Sequence, residues 1–393
     1  MDGSWDGPAP DRPPGLTRRR FLRALGGAGA LAALSYLTVR GLAFDAGPDR
    51  AMARPRGTVS SDAEARLDEL VRNIVNGGPP KDGIPAIDRP VFDPAPHAFF
   101  LDDRDVVFGI VHAGEVRAYP QLVLVWHEIV NDRFPDGRLS VTYCPLTGSV
   151  VGFRGTAPDG RPYTFGTSGD LVNSNLLMYD RQTDNRWPQI LGQALLDPVK
   201  GQPLQEVPLD WTTWGRWRAA HPDTVVLSTD TGYARAYGQD PYGSYTPPSG
   251  YYVSNYPFFP VIREDDRFPA KEVFVGVKLG SRLGDPRLAV RKSLLRERRA
   301  IASRMGDEPV VLLHDPALDV GRGYRARAEA RELRLVPGER PGEYREARTG
   351  SVFDALGRGV RGPLAGLALE RVVSFDVMWF AWAAFYPETE VIG

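Results

Sequence analysis

At 393 residues, with 42% hydrophobic and 25% charged side chains, the chain has material for one large domain or two ordinary ones with proper cores. A formal net charge of −1, with no basic patch interleaved with aromatics, argues against nucleic acid as a partner and against an acidic tail. The 42 glycines and 35 prolines favour many turns and short strands over long helices.

Residues 1–15 are polar and rich in proline and glycine. Thr17-Arg18-Arg19-Arg20-Phe21-Leu22-Arg23 then leads into the apolar stretch Ala24 to Val39. The arginine pair, with Phe21 and Leu22 behind it, has the spacing of a twin-arginine export signal. Leu22 to Val39 also has the length of the shortest spanning helix, so a plain membrane anchor is the alternative. Gly41-Leu42-Ala43 offers a small-x-small cleavage site. An extracytoplasmic protein is expected, touching membrane only through this segment, and the route suits proteins that take up a cofactor before export.

After a polar linker, Ser61-x-x-Glu64 forms a capping box for a helix with Leu67, Leu70, Val71, Ile74 and Val75 on one face. Gly77-Gly78-Pro79-Pro80 ends it, and residues 79–98 are irregular. Val106–Val111 and Glu115–Tyr119 flank Ala113-Gly114 and predict a hairpin. Pro120 suits the first turn of a helix to about Asn131, which would place His127 on an inward face with Val123 and Val130. Leu139–Tyr143 is a strand that delivers Cys144, the only cysteine, to its end before the Pro145–Gly148 turn. Leu176–Tyr179 is a further strand and carries Met178. Thr213–Ala220 predicts a short helix and Val225–Ser228 a strand. Residues 232–256 hold seven tyrosines, as a surface loop or a cleft rim.

Two parts of the chain resemble each other. Thr183 and Trp187 recur 166 positions on as Thr349 and Phe353. Gly192, Trp214, Trp217, Pro222 and Thr224 recur 165 positions on as Gly357, Trp379, Trp382, Pro387 and Thr389. A looser match puts Val273–Val277 on Val106–Ile110, the helix near Lys292–Ser303 on Pro120–Asn131, and His314 near the Cys144 position, with nothing in place of His127. The expected architecture is a strand-rich α+β fold with short helices and two related lobes from an internal duplication. Residues 1–43 are the signal or anchor, 44–98 linker and N-terminal helix, 99–262 the first lobe with the site, and 263–393 a second, degenerate lobe.

W-H-E-I-V-N-D at 126–132, T-Y-C-P-L-T-G-S at 142–149, N-S-N-L-L-M-Y-D-R-Q-T at 173–183 and F-A-W-A-A-F-Y-P-E-T at 380–389 together resemble domain-of-unknown-function family 3179, exported bacterial and archaeal proteins, over about residues 100–390. The resemblance implies a family and no activity. It also implies that some members carry a second cysteine where this chain has Thr147, which weakens a dithiol or two-thiolate reading here.

Three readings of the site follow. In the first, Cys144, His127 and Met178 bind one metal, copper best suiting a thiolate, an imidazole and a thioether, with Glu128 or Asp180 behind the ligands and His112 as a further one. In the second, Cys144 is a nucleophile with His127 as its base and the Gly148-Ser149 amides as oxyanion donors. In the third, the protein is a non-catalytic binding or structural module, Cys144 is a buried small hydrophobe, and the tyrosine-rich loop meets a partner or polysaccharide; a small molecule or a metal ion is a possible partner of the protein in general. An unpaired thiol in an oxidising compartment must be buried or metal-bound, which both the first and third readings satisfy.

Overall fold

The computed structural model describes residues 60–329 and 331–393, so the expected export signal or anchor and the polar linker before Ser60 lie outside the described residues. The first element among the described residues is a helix, Ser61–Arg72, whose N-cap is Ser60; its hydroxyl accepts from the Ala63 N–H at 3.3 Å. The cap thus stands one residue before the predicted box. Leu67 and Leu70 are buried, and Asn73 ends the helix, so that Val75-Asn76 instead pairs with the strand Phe165–Val172.

Strands dominate, as the α+β expectation held. One central sheet has the order Asp210–Thr213, Val106–His112, Glu115–Pro120, Val225–Leu227, Phe92–Pro94. The hairpin at Ala113-Gly114 forms as predicted, both residues having positive φ (49° and 81°) as a tight primed turn requires. A second central sheet has the order Val373–Met378, Val273–Lys278, Arg287–Arg291, Glu390–Ile392. In both sheets the first two pairings are antiparallel and the third is parallel.

The correspondence extends to the tryptophans. Helix Trp214–Ala220 follows its strand just as Trp379–Phe385 follows its own. Trp217 lies on Gly109 so closely that a Cβ there would fall 2.2 Å from the ring, and Trp382 lies on Gly276 at 2.3 Å. The Trp217 indole N–H donates to Thr224 Oγ1 at 2.9 Å, and that of Trp382 to Thr389 Oγ1 at 3.0 Å. The carboxylate of Asp180 accepts from the amide and hydroxyl of Thr183, and that of Glu346 from those of Thr349.

Beside the first central sheet, Ile129–Phe134, Gly137–Cys144, Ser149–Arg154 and Gln205–Val207 form a four-stranded sheet; Ala300–Met305, Glu308–Asp315 and Val320–Arg325 form its three-stranded counterpart. The Tyr143 amide donates to Glu128 O at 2.7 Å and the His314 amide to Arg299 O at 2.8 Å. By this hydrogen bond His314 is placed as Tyr143 is, one residue from the expected match at Cys144, a likeness of local geometry that does not by itself establish a duplication.

The helix expected from Pro120 to Asn131 is much shorter. Only Gln121–Leu124 is helical; the Glu128 N–H closes on Leu124 O at 2.7 Å, Glu128 takes φ 58°, and Ile129 already belongs to a strand. The β-branched residues Val125, Ile129 and Val130 suit the pleated surface better than a long helix. His127 consequently sits in a turn.

The described residues belong to one compact unit, which contains both expected lobes. Ion pairs join the two halves. Lys278 Nζ, buried, donates to both Glu206 carboxylate oxygens at 2.8 and 2.9 Å and to Ile190 O at 2.6 Å. Arg322, also buried, binds Asp210 at 2.5 Å and Asp315 at 2.7 Å, while Arg371 reaches Asp210 at 2.9 Å.

Candidate functional site

The strand Gly137–Cys144 ends inside the molecule. Cys144 is 1% exposed, and its Sγ accepts from the Leu176 N–H at 3.3 Å. Burial, reinforced by the charge of Glu128, pushes the thiol up to about 11, so at neutral pH it is a thiol and a poor nucleophile.

The turn after it is held from below by a closed polar network. Asn175 Nδ2 donates to Thr147 Oγ1 and to Gln189 Oε1, each at 3.0 Å. Thr147 and Ser149 hydroxyls meet at 2.9 Å, and Ser149 Oγ donates to Gln189 Oε1 at 2.8 Å. Every member is buried, so the network fixes one conformation of the T-G-S turn. Gly148 within it has φ 55°, and a Cβ there would come within 3.2 Å of Met378 Cε. Small size and left-handed backbone are both needed at that position.

His127 is fully buried with both ring nitrogens engaged. Nδ1–H donates to Pro85 O at 2.7 Å, and Nε2 accepts from the Tyr237 hydroxyl at 2.7 Å. This is the pattern of a neutral imidazole, and burial lowers its pKa to about 4. Glu128, next in the chain, is a buried carboxyl that burial alone raises to about 8. Met178 is fully buried in an inner strand of its four-stranded sheet, between Thr167 and Trp187. The Asp180 carboxylate is taken up by Thr183 and the Trp187 indole, and His112 bonds Asp136 at 3.0 Å.

Among the described residues, then, no hydrogen bond joins Cys144 to His127, and Met178 is part of a strand core. No group of three or more His, Cys, Asp or Glu side chains there is placed to hold a metal ion. The acid whose charge does bear on Cys144 is Glu128, which the sequence offered only as a residue behind the ligands.

The tyrosine-rich segment folds over this turn. The Tyr251 hydroxyl donates to Leu146 O at 2.7 Å, and the Tyr245 and Tyr252 rings stack at 3.8 Å. Asp240 Oδ2 accepts from Gln121 Nε2 and from the Tyr252 hydroxyl, both at 2.7 Å. Tyrosine density was the only sequence signal for this cage; Gln121 and Asp240 carried none.

A cleft of about 470 Å³ opens beside Gly148. It is lined by Trp211 and Tyr245, edge to face at 5.1 Å, together with Lys271, Lys292, Arg296 and Asp376. Lys292 is paired with Asp376 and Arg296 with Asp319. Lys271 has no carboxylate partner among the described residues. Its Nζ donates to Tyr251 O and to Ser254 Oγ, the latter at 2.6 Å, and lies 3.2 Å from the centre of the Tyr251 ring. Burial lowers its pKa to about 7.

Comparison with curated proteins and with solved structures gives no match. A family model described as "Protein of unknown function (DUF3179)" matches residues 81–389, and the chain, matched over most of its length, belongs to that family.

Proposed function

We propose that the protein is an exported binding module that takes a small anionic molecule with a flat apolar face into the cleft beside Gly148. The observation that carries this reading is Lys271, which has no carboxylate partner among the described residues and lines the same cleft as Trp211 and Tyr245. A planar group would stack on the aromatic wall and an anionic group would meet the ammonium. The Trp211 indole N–H has no protein acceptor among the described residues and is free to donate to the same guest. Export rests on Arg18-Arg19 ahead of the apolar run.

The test is Trp fluorescence titration with a panel of aromatic carboxylates such as benzoate and its hydroxylated forms. Saturable binding is expected in wild type and is lost in Lys271→Met. An anion restores the charged form of Lys271, so binding takes up a proton above pH 7 and affinity falls by up to about tenfold per pH unit there. Equal binding by Lys271→Met, or no saturable change with any member, rejects the reading.

Copper at Cys144 is the second reading, and Glu128 is the observation that favours it. Burial holds both acids protonated, and the charge of Glu128 makes Cys144 harder still to ionise, so a soft cation bound at the thiol would offset that penalty. Metal analysis of protein folded before export is the measurement, with Cys144→Ser, Glu128→Gln, His127→Ala and Met178→Leu in parallel. Stoichiometric copper lost in Cys144→Ser supports it. Metal-free wild type, with Cys144 alkylated only on unfolding, leaves a buried structural thiol.

A further inference from the structure

We propose that the protein carries a second binding site, for a phosphate- or sulfate-type oxyanion, on the hairpin formed by Ile129–Phe134 and Gly137–Cys144. The register of that hairpin sets Arg133 directly opposite Arg138. Residues opposite each other on antiparallel strands project from the same face with Cβ atoms about 5 Å apart, and like charges there destabilise the pair.

The surrounding arginines are neutralised. Arg154 forks onto Asp136 at 2.5 and 2.8 Å, Arg161 binds Asp159, Arg117 binds Asp132 at 2.6 Å, and Arg181 binds Asp88 at 2.5 Å. Neither Arg133 nor Arg138 has a hydrogen-bond acceptor or carboxylate for its guanidinium among the described residues. Both line a cavity of about 550 Å³, walled by Phe134 and Pro162 and bordered by Arg161 and Thr164.

Two unpaired forks on one face beside such a space form a site for a tetrahedral oxyanion, which accepts two N–H bonds from each guanidinium. The anion removes the repulsion that the register builds in. Free phosphate, a small phosphorylated or sulfated molecule and a phospholipid headgroup share this chemistry.

Thermal unfolding is followed in chloride and in inorganic phosphate or sulfate at matched ionic strength. In chloride, Arg133→Gln and Arg138→Gln should each unfold at a higher temperature than wild type, because either change relieves the like-charge pair. In phosphate, wild type should gain several degrees, and the two variants should not. Phosphate and sulfate also stabilise proteins by exclusion from their surface, so Arg104→Gln, an arginine outside the cavity, serves as the control and should keep the wild-type gain. Equal gains in all four proteins, or none in wild type, overturn the proposal. Sedimentation with phosphatidylglycerol against phosphatidylcholine vesicles separates the sources: wild-type binding to the former, lost in Arg133→Gln, assigns the headgroup, and none assigns a soluble anion.

Discussion

At position 128 a glutamate has left-handed backbone, φ 58°, and a carboxyl that burial raises to about 8. The unfolded chain releases that proton near pH 4.5 and the folded chain keeps it until about 8. Between those values the folded state binds more protons, and stability falls as pH rises. His127 works in the opposite sense. Its folded pKa of about 4 lies below the ordinary 6.5, so stability is lost as pH falls from about 6.5 to 4. The two slopes oppose each other between about 4.5 and 6.5 and leave a net decline above it. Glu128→Gln should remove that decline and add about 2–4 kcal/mol at pH 8, measured by urea unfolding at a series of pH values. An unchanged profile would place the carboxylate in contact with water. The sequence made Cys144 legible, because a strand followed by Pro and Gly puts its last residue at a turn. It did not make His127 legible: partners 42 and 110 residues away, Pro85 and Tyr237, decide what its nitrogens do.

Among the elements, the short helices owe their place to glycine rather than to their own length. Trp217 and Trp382 each occupy the space above a strand glycine, Gly109 and Gly276. Gly109→Ala and Gly276→Ala should each cost about 1–3 kcal/mol or more, since the Cβ would overlap a ring held by its indole hydrogen bond. Chemical denaturation measures this, and a loss below about 0.5 kcal/mol at either site would mean the ring moves aside. The tryptophan repeat was readable because identical residues recur at one spacing. The glycines beneath them were not, since strand pairing between segments about a hundred residues apart brings them there. The overlong helix at Pro120 has a similar origin: apolar spacing fits helix and strand alike over so few residues, and the left-handed residue that closes the turn after the short helix is a glutamate, not a glycine.

For the whole molecule, the buried charges between the halves matter most. Arg322 serves Asp210 and Asp315 together, so Arg322→Met would leave the Asp315 carboxylate with only the Ala317 and Leu318 amides and Asp210 with Arg371 alone. A loss of about 3–5 kcal/mol is expected in equilibrium unfolding. A loss under about 1 kcal/mol would mean that water reaches those carboxylates. The α+β class followed from turn-forming composition and strand patterning. The cleft did not, because its lining comes from residues 148, 211 and 245 and from 271, 292 and 376, and only the folded sheets bring these together.

The same pairings set a timetable for the newly made chain. Asp210 is synthesised 112 residues before Arg322, and Arg66 waits 319 residues for the Phe385 carbonyl it binds at 2.9 Å. At about 5–20 residues per second, Asp210 waits roughly 6–20 s on the ribosome without its partner. The first central sheet can close in that interval, but the charge beside it is satisfied only when the second half has emerged. Long-range pairing of this kind is also slow in itself, on the order of milliseconds to seconds. Chaperone demand should therefore peak late in synthesis and fall once the last strand, Glu390–Ile392, has docked beside Arg287–Arg291.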